Sequence, residues 1–296
     1  MRRFVGYLVV FGLIVAVGLW FASAARGGDP ALVADLKGDA ARGEIVFTAA
    51  GCASCHTAPG ATGEADLVLS GGQRFVTDFG TFIAPNISSD PEHGIGAWPL
   101  SDLVNALKHG VSPEGQHYYP ALPYGAYTHM ELQDIADLHA YLATLPPDAT
   151  PSPAHELGFP FNIRRSVGMW KLLYLNSDWA IGGELSPAQE RGRYIAEAMA
   201  HCGECHTPRN VLGGPDASRW LAGAPNPNGE GTIPNITPAK LTWSEADIVA
   251  YLTTGFTPEF DTVGGHMVEV VDNMSRLPER DRAAVAAYLK IVPAAE

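Results

Sequence analysis

The chain predicts an all-α architecture in which one helical unit is used twice behind an N-terminal apolar helix. Three observations predict it. All four cysteines fall in two copies of one five-residue motif, and other short segments recur in the same order at near-constant spacing. Within each copy the apolar residues follow the helical period rather than strand alternation.

The 296 residues are 46% hydrophobic and 17% charged, a composition that excludes a disordered, collagenous or multi-spanning membrane protein. Lys and Arg number 19 against 32 Asp and Glu, a formal −13. Residues 29–296 carry 16 of the positive and all 32 negative side chains, a formal −16. Phosphate binding needs a basic surface, so a nucleic-acid partner is excluded.

The first element is an uncharged apolar run from Phe4 to Ala25, preceded by Arg2 and Arg3. Roughly 20 apolar residues span a bilayer as a helix, and this run has that length. The two arginines place the N-terminus on the cytoplasmic side and the remaining chain across the membrane. An uncleaved anchor is the expectation. A cleaved signal, with Ala22-Ser23-Ala24 as its processing site, is the alternative.

The cysteine motifs are Cys52-Ala-Ser-Cys55-His56 and Cys202-Gly-Glu-Cys205-His206. C-x-x-C-H is the attachment signature of c-type haem. Two thiols add to the two vinyl groups of one porphyrin, and the adjacent histidine offers an imidazole to the iron. A zinc site made of both C-x-x-C pairs leaves the histidines without a role, and disulfides within each pair close loops too small to stabilise much.

The repeat extends beyond these motifs. Arg42-Gly43 matches Arg191-Gly192, and Ala84-Pro85-Asn86-Ile87-Ser88 matches Ile233-Pro234-Asn235-Ile236-Thr237. Trp98 and the stretch to Gly110 match Trp243 and the stretch to Gly255, while Leu138–Leu142 matches Val285–Leu289. The offsets are 149, 149, 145 and 147 residues. Within each copy a short helix leads to the cysteines, over Glu44–Ala50 and Arg193–Ala200. A second covers Asp102–His109 and Ser244–Thr254, each followed by a glycine at the C-cap. The last, over Glu131–Leu145 and Glu279–Ile291, is amphipathic and stopped by proline. The Gly/Pro-rich loops between them have little strand patterning and need an organising body such as haem.

Both copies resemble class I cytochrome c domains. Tyr119-Pro-Ala-Leu-Pro-Tyr124, His201-Cys-Gly-Glu-Cys-His-Thr-Pro208, Ile233-Pro-Asn-Ile-Thr-Pro238 and Gly255–Gly265 are similar to segments of the dihaem cytochrome c subunits of bacterial membrane-bound dehydrogenases for alcohols, sugar acids or aldehydes. The resemblance implies two tandem class I cytochrome c domains after an N-terminal transmembrane helix. The corresponding boundaries are 1–28 for the anchor or signal, 38–148 and 187–296 for the domains, and 149–186 for the segment between them. It implies two covalent haems, bound through Cys52, Cys55, Cys202 and Cys205, with His56 and His206 as iron ligands. Pro85 and Pro234 correspond to the loop proline whose carbonyl orients the ligand histidine, although a purely loop-shaping role is the rival reading.

The sixth ligands differ between the copies. Gly264-Gly265-His266-Met267 precedes the last helix, and the resemblance gives Met267 the iron of the second haem; His266 and Met274 are its rivals. In the first copy Leu122 stands where relatives often carry methionine. Met130 is the only methionine after the motif there, but its repeat partner is Leu277, which reads as a packing residue. Met130, His129 or His117, and an open position all stand for iron 1.

Pro146–Pro153 is a stiff link, followed by an aromatic-rich stretch from Phe159 to Leu175. That stretch is expected to pack across both domains, with Arg164 and Arg165 available to haem propionates; a partner-docking surface is the alternative. Trp98 and Trp243 are expected to pack against haem or core, and Tyr119 and Tyr124 are candidate propionate donors. The expected function is a single-electron relay at the bacterial inner membrane, facing the periplasm. It would run from a partner dehydrogenase to a quinone-linked, cytochrome or oxidase acceptor. A haem enzyme at an open first iron, such as a peroxidase or an inorganic sulfur oxidase, is the main alternative, and a haem sensor a weaker one.

Overall fold

A computed structural model of the chain describes residues 2–226 and 231–295. Helix α1, Arg2–Ala22, contains a 20-residue apolar stretch with none of it buried. At about 1.5 Å rise per residue it reaches across a bilayer core of about 30 Å.

Each repeat is framed by its first and last helices, which cross in contact. In the first repeat these are α2, Ala40–Ala49, and α6, Leu132–Leu142; between them lie α3 (Cys52–His56), α4 (Leu100–Val104) and α5 (Tyr124–Tyr127). Helix α7, Ser166–Tyr174, lies between the repeats. In the second repeat α8, Pro187–Arg193, crosses α12, Glu279–Leu289, with α9 (Cys202–His206), α10 (Glu245–Thr254) and α11 (Met267–Arg276) between them.

The repeated Arg-Gly pair makes the crossing. A Cβ on Gly43 would lie 2.0 Å from the carbonyl oxygen of Asp137, and one on Gly192 would lie 1.9 Å from that of Ala284. Only glycine lets the backbones approach this closely. The arginines then lock the pair. Arg42 donates through Nε and Nη2 to Asp137 at 2.6 and 2.9 Å, and Arg191 to Asp281 at 3.0 and 2.9 Å. Both carboxylates are buried. Burial alone would push Asp137 up. Hydrogen bonds from Arg42, the Asp39 amide and Gln133 outweigh it and hold the carboxyl below its usual value.

Capping follows the sequence. Ser186 and Gln189 form a reciprocal capping box at α8, and Ser244 and Asp247 do so at α10. Gly110 and Gly255, at φ 58° and 74°, end the helices before them in the left-handed conformation. The buried apolar side chains of both repeats form one continuous cluster, from Val46, Ile135 and Leu138 to Ile195, Val285 and Leu289.

Three features depart from the expectations. The helix leading to each motif stops short of it, and the chain restarts as a separate turn after Gly51 (φ 62°) and His201 (φ 42°). Both Asn105–His109 and Tyr194–Met199 widen into π-helix. Short strands also form: β1 (Arg74–Thr77) pairs antiparallel with β2 (Gly80–Ile83), which pairs with β3 (Glu156–Leu157), and β4 (Ala224–Pro225) pairs with β5 (Thr232–Ile233). They are two to four residues long, too short to show as a period-2 pattern.

Candidate haem sites

Helix α3 places Cys52 and Cys55 one turn apart with His56 at its end, and α9 does the same for Cys202, Cys205 and His206. None of the four cysteines is paired in a disulfide. Burial pushes the Cys52 and Cys202 thiols up to about 12 and Cys55 up to about 11.

The two histidines are held alike. Nδ1 of His56 donates to the Pro85 carbonyl at 2.8 Å, and Nδ1 of His206 to the Pro234 carbonyl at 2.7 Å. With the proton on Nδ1, Nε2 carries the lone pair that an iron ion takes. Burial lowers both pKa values and favours the neutral, ligating imidazole.

Two glycines that sequence reasoning passed over build the loop behind each histidine. Gly71 and Gly223, at φ 74° and 83°, donate their N–H to the carbonyls of His56 and His206, each at 2.7 Å. A Cβ on Gly71 would lie 2.5 Å from the Ala84 carbonyl oxygen, and one on Gly223 would lie 2.8 Å from that of Ile233. The proline segments are fixed further by Asn86 and Asn235. Their Oδ1 atoms accept from the amides of Ser88 and Thr237 at 2.8 Å, and their amide groups donate past the last helix, to Asp148 and Thr150 or to Ala295. The signal for these glycines was present, as Leu69-Ser-Gly71 against Leu221-Ala-Gly223.

The motif regions of the two repeats touch. Nε2 of His201, the residue before Cys202, lies 3.3 Å from the carbonyl of Ala50, two residues before Cys52. The Tyr127 ring meets His201 edge-on at 5.7 Å and its hydroxyl donates to the same carbonyl. From α11, the helix that Met267 begins, Asn273 donates to Ser54 inside the first motif at 3.0 Å. Next to the second motif, Glu197 is buried and its carboxyl accepts from Tyr288 at 2.6 Å and from the amides of Ala180 and Ile181. Burial is the largest influence and raises its pKa above the ordinary 4.5. The folded state therefore binds this proton more tightly than the unfolded one, and stability from this group falls as pH rises above about 4.5. Glu197→Gln should gain stability relative to the parent as pH rises from 4 toward neutrality. Unfolding midpoints measured across that range check it, and a pH-independent difference between the two proteins would refute it.

The other candidates are placed as follows. Met267 is half-buried at the start of α11, a helix where a loop was expected, and His266 is its N-cap. Met130 is 2% exposed in the core, and its repeat partner Leu277 is 4% exposed at the same point before the last helix. His129 stacks on Trp179 at 4.4 Å, and Nε2 of His117 donates to the Ser23 carbonyl at 2.9 Å. Leu122, Trp98 and Trp243 pack against the core. Tyr119 donates to Phe161, and Tyr124 is wholly buried beneath Lys171. Arg164 donates to His117, and Arg165 lies over the Trp20 ring.

Residues 40–146 match the cytochrome c family model. A "Diheme cytochrome c-type" protein of Cereibacter sphaeroides is 60% identical over 281 residues, 95% of each chain. The chain belongs to the dihaem c-type cytochromes. It is 38% identical to the fructose dehydrogenase cytochrome subunit of Gluconobacter japonicus over 86% of its length, and 30% identical to the cytochrome c subunit of the quinone alcohol dehydrogenase of Gluconobacter oxydans over 95%. It spans 52% and 60% of those two relatives. As a dihaem cytochrome it carries two covalent haems, and its two C-x-x-C-H motifs, on α3 and α9, are the attachment sites that fit them.

Proposed function

We propose that this dihaem cytochrome is a membrane-tethered relay at the inner membrane, taking single electrons from a periplasmic dehydrogenase and passing them toward the respiratory chain. The haems supply the one-electron chemistry. The single observation that carries the reading is the contact between the two motif regions, His201 against Ala50. Residues 38–148 and 187–296 are the haem-bearing units, with 149–186 joining them. Cys52 and Cys55, and Cys202 and Cys205, hold the porphyrins. His56 and His206 ligate iron, positioned by Pro85 and Pro234, and Met267 closes the second iron.

For iron 1, the burial of Met130 beside its non-ligating counterpart Leu277 supports a packing role for that methionine. His129 is committed to Trp179 and His117 to Ser23, which supports an open or weakly held sixth position. The same observation favours the second reading, a haem enzyme acting at iron 1, against which the contact between the motifs speaks.

A retained anchor is supported by how the end of α1 docks. Ser23 is 4% exposed, its carbonyl takes the His117 hydrogen bond, and Gly28 donates to Asn105 at 2.8 Å.

The test is donor-driven reduction. In membranes holding a dehydrogenase for alcohols, sugars or sugar acids, the matching substrate should reduce both haems of this chain. The purified chain should stay oxidised with every one of those substrates. Reduction of the purified chain by an organic substrate alone overturns the relay.

A further inference from the structure

The stretch between the repeats carries an apolar surface that the relay leaves unused. On α7 the side chains of Met169, Leu172 and Leu173 share one face at i, i+3 and i+4, with Leu172 54% and Leu173 66% exposed. The loop of the second repeat beside it continues that surface: Trp170 donates to the Leu212 carbonyl at 3.0 Å, and Val211 is 92% exposed. Contiguous apolar surface of this kind marks a docking face.

Its position says what covers it. The end of α1 lies directly against α7. Arg165 sits 4.5 Å from the centre of the Trp20 ring, and a Cβ on Gly168 would lie 2.1 Å from the Ser23 carbonyl oxygen. Leu172 and Leu175 line a cavity of about 220 Å³ together with Ala22 and Ala24. Leu172 is four residues past Gly168, so along α7 the exposed face begins about 6 Å from the residue that touches Ser23 at the end of α1. Charge points the same way. Residues 157–177 hold Arg164, Arg165 and Lys171 and no acid, in a chain of net −13. Lys171 turns inward to the carbonyls of His109 and Gly110, so it is Arg165, beside Trp20 at the foot of α1, that sets positive charge next to the apolar face and matches an anionic headgroup layer. A protein partner would have to occupy that same layer.

We infer that the exposed face of α7, with the Val211–Leu212 loop beside it, lies in the headgroup boundary of an anionic bilayer. This second membrane contact rests on the retained anchor and holds both haem units in one orientation to the membrane.

Photo-crosslinking tests it. p-Benzoylphenylalanine is placed in turn at Phe21, Leu173 and the exposed Glu279 of the full-length, haem-loaded chain, in vesicles of phosphatidylglycerol and phosphatidylethanolamine. Lipid adducts are expected at Phe21 and Leu173 and absent at Glu279. An adduct at Phe21 without one at Leu173 overturns the inference and leaves the anchor standing. Absence at both positions overturns the anchor as well. A protein adduct at Leu173 in native membranes, in place of lipid, assigns the face to a partner and also overturns it.

Discussion

Gly192→Ala should destabilise the chain by about 3 kcal/mol or more, the upper range for overpacking a close-packed contact. The added methyl would lie 1.9 Å from the Ala284 carbonyl oxygen and 2.7 Å from Cβ of Tyr288. Neither can yield: one is backbone in the middle of α12, and the other is the first atom of a side chain that donates to Glu197. The helices must therefore separate, and the Arg191–Asp281 pair at the same crossing would lengthen. Asp281 is buried, so weakening that pair leaves a poorly compensated carboxylate, which adds to the steric loss. Gly182→Ala is the control, because nothing lies within 4 Å of a Cβ there. Chemical denaturation of the haem-loaded protein measures both variants. Equal midpoints for the two would show that the crossing tolerates a methyl group and would refute this account of the Arg-Gly repeat.

Much of this was legible in the sequence, for identifiable reasons. The attachment sites depend on residues three apart in one segment, so Cys52, Cys55 and His56 announce themselves without any knowledge of the fold. The crossing pairs were visible as a recurrence, Arg42-Gly43 and Arg191-Gly192, but their role was not. It depends on Asp137 and Asp281, 95 and 90 residues away, and no local pattern connects such partners. The strands went unseen because two to four residues of pairing leave no period to read. The breaks before each motif were missed for a different reason. Glycine at position 51 signals a left-handed turn, whereas histidine at 201 does not, and only its contacts with Ala50 and Tyr127 account for that conformation. Sequence reasoning kept Met130 among the iron ligands because it is the only methionine available in its repeat; the burial it shares with Leu277 is a three-dimensional fact.

The second large effect concerns the irons themselves. Thioether sulfur gives Met267 a lone pair for iron, and leucine has none while filling nearly the same volume. Met267→Leu should therefore open the second site while keeping the volume packed there. A small neutral ligand reports this directly, because carbon monoxide binds reduced haem iron only where a coordination position is free or weakly held.

The measurement that tests the central claim, two haem sites with unlike sixth positions built from this chain's own side chains, is carbon monoxide binding to the dithionite-reduced, full-length protein, read by absorbance. The account predicts that one haem per chain binds carbon monoxide in the parent and both bind it in Met267→Leu. Binding at neither haem in the parent would return a ligand to iron 1, with Met130 first in line. A second site that stays closed in Met267→Leu would pass its ligand to His266 or Met274 and contradict the assignment at the centre of the second repeat.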